Sequence, residues 1–484
     1  MKDQNKTPLF DALKKYNNDK VISFDVPGHK KNPLGLKEFS DVLGEEILRL
    51  DANSMKQLDH LSNPMGVIKE AEGLMAEAYG SDHSFFLVNG TTSGVQAMIM
   101  SAVKPGEKII LPRNAHKSAV NALILSAAIP IYIQPEIDEK LGISTGISVR
   151  KLEEAIAENP DAKAVFLMNP TYYGAISNLT RIINLSHRNG MAVLVDEAHG
   201  AHLSFSEELP KNAMRMGADM AAVSLHKTGG SLTQSSALLL NEGFVDSNTV
   251  KTVLNLTQTT SASYLLMGSL DVARKNLVVN GEEIFKRILG WVREARTRLN
   301  AIEGVCAFGP ETIGNKGVYD FDETKLGINV NQLGHTGFEV YDILRDEYNI
   351  QVELSDTYNI LAIISVGDTR ENIFALVEAI EDIAEKYRRS PLTVKCIPLS
   401  NPEIIVSPRS AFYANKKKLS LDDAVGQISG ESIMAYPPGI PIVTPGEKIT
   451  QEMVDYIKLL KEEHTTLTGT EDPEVDKIKV LGMN

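Results

Sequence analysis

The sequence predicts an α/β protein with a mostly parallel sheet, followed by a smaller α+β domain and an extra C-terminal domain. Between residues 85 and 241 short apolar runs alternate with amphipathic stretches of helical period. Those runs are apolar on successive residues, as expected of strands covered by helices on both faces. Near residue 391 the texture changes to proline-rich sequence.

The strand runs are FFLV (85–88), KIILP (108–112), IPIYI (129–133), AVFLM (164–168), AVLVD (192–196), AAVSL (221–225) and SALLL (236–240). Helical patterns such as TSGVQAMIMSAV and SVRKLEEAIAEN lie between them, and Asn89-Gly90 and Asn189-Gly190 mark turns. A long helical stretch at 281–304 leads to LGINVNQL, the helix GFEVYDILRDEY, the strands QVEL and ILAIISV, and the helix ENIFALVEAIEDIAEKYRR. SPLTVKCIPLSNPEIIVSPRS and YPPGIPIVTPGE then read as loop-like. The expected division is an N-terminal arm (1–55), a large domain (56–275), a small α+β domain (276–390) and a C-terminal domain (391–484).

The 484 residues are 43% hydrophobic and 23% charged, ordinary for a globular protein with a sizeable core. No run reaches the roughly 18 uncharged apolar residues of a membrane span. The start, MKDQNKTPLF, lacks a signal-peptide core. Two cysteines, Cys306 and Cys396, make neither a disulfide framework nor a structural zinc site. A net charge of −14 disfavours nucleic acid and anionic membranes and suits cationic substrates. The expectation is a cytoplasmic protein with no membrane or nucleic-acid partner.

Four segments carry chemistry. Lys227, in SLHKTGG, follows an apolar strand and enters a glycine turn, where α/β sheets bind ligands. Asp196 ends the strand of VLVDEAHGAH, a costly place for an acid unless a cation pairs with it; a protonated pyridine nitrogen is such a cation. In FFLVNGTTSG the hydroxyls of Thr91, Thr92 and Ser93 meet the free N–H groups of a helix start, a phosphate cradle without the P-loop pattern of nucleoside triphosphate sites. His116, in LPRNAHKS, follows the next strand and could stack on a flat ring. His199 and His202 stand three apart, but no further Cys/His spacing supports a metal, so they line the site at most. Each feature alone has a plain alternative: a solvated lysine, a capping aspartate, an ordinary N-cap, a surface histidine. Their common placement at strand ends of one domain makes independent accidents a poor explanation.

Taken together, FDVPGHK (24–30), LDHLSNPMGVIKEAE (58–72), NGTTSG (89–94), PRNAHKS (112–118), NPTYYG (169–174), VDEAHGAH (195–202), SLHKTGGSLTQSS (224–236), TTSASYLLMGSLD (259–271) and YPPGIPIVTPGE (436–447) are similar to the Orn/Lys/Arg decarboxylase family. The resemblance is to its short Gram-positive form, within fold type I of the pyridoxal 5'-phosphate (PLP) enzymes, whose large domain is aspartate-aminotransferase-like. It implies PLP carried as a Schiff base on Lys227, with Asp196 at the pyridine nitrogen and His116 on the ring. It places Thr91, Thr92, Ser224 and His226 at or beside the phosphate and Ala198 beneath the ring. It implies Glu431 near the substrate, often across a subunit interface, with Thr259, Thr260 and Ser261 as weaker contacts from the neighbouring subunit. The long members carry an extra N-terminal wing absent here, and a tryptophan where this chain has His199, so their ring assemblies and substrate details transfer poorly.

The implied reaction is decarboxylation of a basic L-amino acid, arginine preferred on overall likeness, with lysine or ornithine as alternatives. The implied assembly is a homodimer or higher homo-oligomer with shared sites. A decarboxylase should leave the departing carboxylate without an arginine clamp, which an aminotransferase usually provides. Arg370 is the arginine to check, although a helix-start surface position explains it. The rivals are a PLP aminotransferase or lyase and a non-catalytic PLP-binding protein.

Overall fold

The computed structural model describes residues 2–393, 401–436, 440–462 and 465–482. Cys396, Pro437, Pro438 and Gly439 lie outside the described residues. By internal contact the chain forms two units, one of residues 1–101 and 196–286, the other of residues 102–195 and 287–484.

In the first unit the strand Ser236–Leu240 lies between His83–Leu87 and Met220–Val223 and runs antiparallel to both. It is the member that makes the sheet mixed. The strand expected at 85–88 begins earlier, because His83 and Ser84 pair with Leu240 and Leu239 although neither is apolar. The run expected at 221–225 ends at Val223, and Leu225–Thr228 form a helical turn. Leu225 is fully buried, so its apolarity serves a turn as well as it would a strand. The helix Val67–Tyr79 is entered through a loop gathered by Asp59, whose carboxylate accepts the N–H groups of His60, Met65, Gly66 and Ile68. Gly80, at φ +75°, ends that helix in the left-handed conformation glycine tolerates.

The helix Pro8–Asn18 of the N-terminal segment is anchored to the start of the long helix Tyr264–Leu299. Asp271 accepts the N–H of Leu9 at 3.0 Å, and Arg274 donates to the carbonyls of Gln4 and Lys6. Beyond it the chain carries exposed apolar side chains, including Ile22, Phe24, Leu34 and Val42.

In the second unit Lys108–Pro112 lies between Ile129–Ile133 and Ala164–Met168, parallel to both, and Ala192–Asp196 is the next strand beyond Ala164–Met168. All four bounds match the sequence expectation. A second sheet has the order Cys306–Phe308, Lys325–Asn329, Asn359–Ile363, Leu354–Ser355, all antiparallel. The long helix begins at Tyr264, well before the expected 281, since its first turns carry the small and polar residues of YLLMGSLDVARKN.

The C-terminal residues are more regular than their prolines suggest. Ile433–Tyr436 pairs with Ile440–Val443 and Thr466–Thr468, Lys416–Ser420 pairs with Lys477–Leu481, and the helix Gln451–Glu462 packs with them. Ile433, Ile442, Val454, Ile457, Ile478 and Val480 form their own buried core. Pro441 lies within the strand Ile440–Val443, opposite Met434, and Pro408 opens the helix Pro408–Tyr413.

Candidate active site

In the first unit the residues singled out between 196 and 227 converge. Asp196 is the last residue of its strand and is 6% exposed. The Glu197 N–H donates to the Ala222 carbonyl, which fixes the chain leaving Asp196 beside Met220–Val223. Ala198, buried, donates its N–H to Asp196 Oδ1 at 3.2 Å. Burial pushes the Asp196 carboxyl above the ordinary carboxylate range, and the Lys227 charge and the Ala198 N–H pull it part of the way back.

Lys227 sits in the turn after Val223, its N–H donating to the Ser224 carbonyl. Its Nζ lies 2.9 Å from His199 Nε2, and His199 is 3% exposed. His226 turns the other way, with Nδ1 2.9 Å from the Ser235 carbonyl, so adjacent residues of one turn point to different partners. The buried Ser224 hydroxyl is 3.1 Å from that of Thr91.

Thr91 belongs to the first turn of Gly90–Ala102. A first helical turn leaves its N–H groups without acceptors inside the helix. Gly90, at φ +68°, makes the sharp entry, and its N–H is held by the Gln234 carbonyl at 2.8 Å. A Cβ at Gly94 would stand 2.8 Å from Leu87 Cδ1 and 3.0 Å from Ala222 Cβ, so the bare glycine lets this helix lie against the strands that carry the site. Thr92 is half-buried, whereas Ser93 is fully buried and donates its hydroxyl to the Gly90 carbonyl. Thr259 and Thr260, from the same unit, line a separate small pocket with Glu72, Lys69 and Lys251.

The second unit holds the other candidates. His116 caps the helix Lys117–Ser126, its Nδ1 accepting the Ser118 N–H at 3.2 Å, which assigns the ring proton to Nε2. The loop that delivers it is fixed by Arg113, which forms a two-pronged buried pair with Glu447. Sequence reasoning gave neither residue a role; they are 334 positions apart, and no local pattern signals such a pairing. Glu431 accepts the N–H groups of Glu471 at 3.1 Å and Lys479 at 2.8 Å. Arg370 opens the helix Arg370–Lys386, pairs with Glu294 at 2.8 Å and is half-exposed. No group of three or more His, Cys, Asp or Glu residues suited to a metal occurs among the described residues, and no described helix is long and apolar enough to cross a membrane.

The donor set fits PLP: a buried carboxylate for a pyridinium, an amine for the aldehyde, and paired hydroxyls at a helix start for the phosphate. The model of the Orn/Lys/Arg decarboxylase major domain matches residues 7–372, and that of the family's C-terminal domain matches residues 393–476. The chain is 46% identical to the arginine decarboxylase of Bacillus subtilis, over 99% of this chain and 98% of that protein. The solved lysine decarboxylase of Francisella novicida superposes with a TM-score of 0.85 at 23% identity, covering 98% of this chain and 81% of that one. A ureidoglycine-glyoxylate aminotransferase from Bacillus subtilis aligns with a TM-score of 0.55 at 13% identity, covering 66% of this chain and 84% of that one. The fold is thus fold type I of the PLP enzymes, an α/β architecture with a mixed, mostly parallel sheet. The chain belongs to the Orn/Lys/Arg decarboxylase family, a family of carboxy-lyases.

Proposed function

We propose that this chain decarboxylates L-arginine to agmatine and CO2 with PLP bound at Lys227. The observation that carries the chemistry is the Lys227 amine, whose charge acts on the buried Asp196 carboxyl. The choice of arginine rests on the 46% identity to a full-length arginine decarboxylase, against 23% to the lysine enzyme.

When bound, PLP supplies an electron sink for the bond broken at Cα. Lys227 offers the amine that takes the cofactor and later a proton donor for Cα. Asp196 keeps a pyridine nitrogen protonated, which burial makes effective because water does not screen the pair. Thr91, Thr92, Ser93, Ser224 and His226 hold or adjoin the phosphate. In this role Ser93 acts through its N–H and as an acceptor, its hydroxyl proton being committed to Gly90. As the family resemblance implies, Ala198 would pack against the ring and His116 would stack on it. Glu431 receives the substrate's guanidinium, for which a carboxylate is the natural two-point acceptor. Arg370, engaged by Glu294, is not available as a carboxylate clamp, which favours decarboxylation over transamination.

The same reading takes the chain as a cytoplasmic homodimer with shared sites and the four-part domain division given above. Exposed Phe24, Ile22, Val42 and Leu34, at 91%, 82%, 82% and 79%, support a partner-covered N-terminal segment.

The test is to incubate PLP-loaded protein separately with arginine, lysine and ornithine and read the products by mass. Agmatine from arginine is expected. Cadaverine or putrescine alone would move the substrate assignment, and no amine from any of the three would end the decarboxylase reading.

A further inference from the structure

A contact joins buried His199 to Lys227, the residue proposed to carry the cofactor. Lys227 Nζ and His199 Nε2 are 2.9 Å apart, within hydrogen-bonding range of one another. His199 is 3% exposed and follows Asp196 by three residues. The chain there is held at Glu197, whose N–H is held by Ala222 and whose carboxyl accepts the Ala213 N–H at 2.8 Å, and at Gly200, whose N–H is held by the Glu197 carbonyl. The imidazole is therefore delivered to the lysine by backbone that cannot easily move.

We infer that His199 is the proton partner of Lys227: its Nε2 takes a proton from the lysine ammonium and so makes the amine reactive, and the same contact aims the amine. The inference rests on Lys227 being the cofactor lysine.

Two nitrogens facing each other at this distance share a single bridging proton. With the proton on Nζ, lysine is an ammonium with no lone pair and cannot attack a carbonyl carbon. With the proton on Nε2, the amine lone pair is free and the imidazole is the cation. The amine then forms its bond to the aldehyde carbon. The aldehyde oxygen leaves as water, taking two protons from the amine nitrogen, and the imidazolium returns its proton to the new nitrogen–carbon linkage. Nothing is oxidised or reduced, and charge is conserved.

The other titratable groups of the first unit near the pair do not replace His199. Asp196 is held by Ala198, and its charge favours the ammonium rather than the free amine. Glu197 is fully buried, its carboxyl is pushed well above the ordinary range by burial, and it is turned to Ala213. His226 is turned to Ser235. His202 packs its ring on Phe285 at 5.3 Å.

The experiment uses full-length apoprotein, either wild type or carrying His199→Gln or His199→Phe. PLP is added at pH 7, samples are quenched with borohydride over time, and modification of each lysine is followed by peptide mass spectrometry. Competitive acylation of the apoprotein, with surface lysines as internal reference, measures Lys227 reactivity without the cofactor. Both readings should fall about a hundredfold in His199→Phe, the lower range of general base catalysis. His199→Gln, which can aim the amine but cannot take its proton, should keep the final extent of PLP capture while remaining at least about tenfold slow. Wild-type rates in His199→Gln would overturn the inference, even if His199→Phe fails to fold. If the wild type traps PLP on a lysine other than Lys227, the site assignment fails instead, and the two failures are read in separate peptides.

Discussion

Substituting Glu447 should destabilise the chain far more than an average point mutation, and the reason is countable. Its carboxylate is 1% exposed and uses four partners: Arg113 Nη1 at 2.5 Å, Arg113 Nη2 at 2.9 Å, the Thr444 N–H at 2.8 Å and the Thr444 hydroxyl at 2.6 Å. Arg113, 5% exposed, has one further acceptor in the Ile442 carbonyl and lies over the Tyr132 ring at 4.8 Å. Glu447→Gln turns one accepting oxygen into a donor facing a donor and leaves the guanidinium charge uncompensated in the interior. Breaking one partner of such a pair costs about 3–5 kcal/mol, whereas replacing both with apolar groups can be nearly neutral. Glu447→Gln and Arg113→Met should each lose stability in that range, and the double variant should lose less than their sum by at least about 2 kcal/mol. Urea denaturation followed through Trp291, the single tryptophan, measures all three. Single-variant losses that add to within about 0.5 kcal/mol would refute the reasoning. Because Arg113 begins the loop that ends in His116, the single variants should also weaken PLP binding at temperatures where they remain folded.

Asp196→Asn should leave the fold intact and cut turnover about a hundredfold or more, since it removes the charge that holds a pyridine nitrogen protonated; turnover at the wild-type level under saturating PLP would contradict the assignment. Glu72, 3% exposed, is pushed from 4.5 up to about 7 by burial. Its folded value is above its unfolded one, so stability is lost as pH rises from about 4.5 to about 7, by about 3 kcal/mol in all. Glu72→Gln keeps an acceptor for the Phe86 N–H and should flatten that loss, making the variant more stable than wild type at pH 8 but not at pH 4.5; parallel pH profiles in urea denaturation would count against it. Gly94→Ala should cost about 1–3 kcal/mol, because its methyl must displace Leu87 or lift the helix off Ala222. An unchanged melting temperature would show that the helix yields freely.

The strands Lys108–Pro112, Ile129–Ile133, Ala164–Met168 and Ala192–Asp196 were legible to the residue because each is largely buried, which makes hydrophobicity a sufficient signal, whereas QVEL (351–354) shares only Leu354 with a strand. Where burial and geometry part company the signal fails. His83 and Ser84 are in a strand for the sake of backbone pairing, while Leu225 is buried within a turn. The C-terminal core was hidden by prolines such as Pro441, which lies within one of its strands. Asp196 and Lys227 could be singled out because each is an ionisable residue at the end of an apolar run. The contact of Lys227 with His199, 28 residues away, and of Arg113 with Glu447 leave no such mark. They are set by how separate segments fold back on one another, which no local period records.

On the proposed reading, Asp196 would set the protonation of the cofactor ring rather than its capture. The carboxyl is already disfavoured by burial, and Lys227 supplies compensating positive charge in the protein alone. When the lysine amine reacts, its charge stays on the new nitrogen–carbon linkage, and the buried carboxylate is further stabilised by any second cation brought beside it. A protonated pyridine nitrogen would be such a cation. Lysine and cofactor nitrogen would then both compensate one carboxylate, the lysine alone before capture and the ring nitrogen as well after it. A consequence follows for Asp196→Asn: the amide needs no cation, so the variant should still capture PLP on Lys227 but hold the ring nitrogen unprotonated. Loading would be normal and turnover lost. Loss of both together, with the fold intact, would mean that Asp196 acts by placing Lys227 rather than by holding the ring.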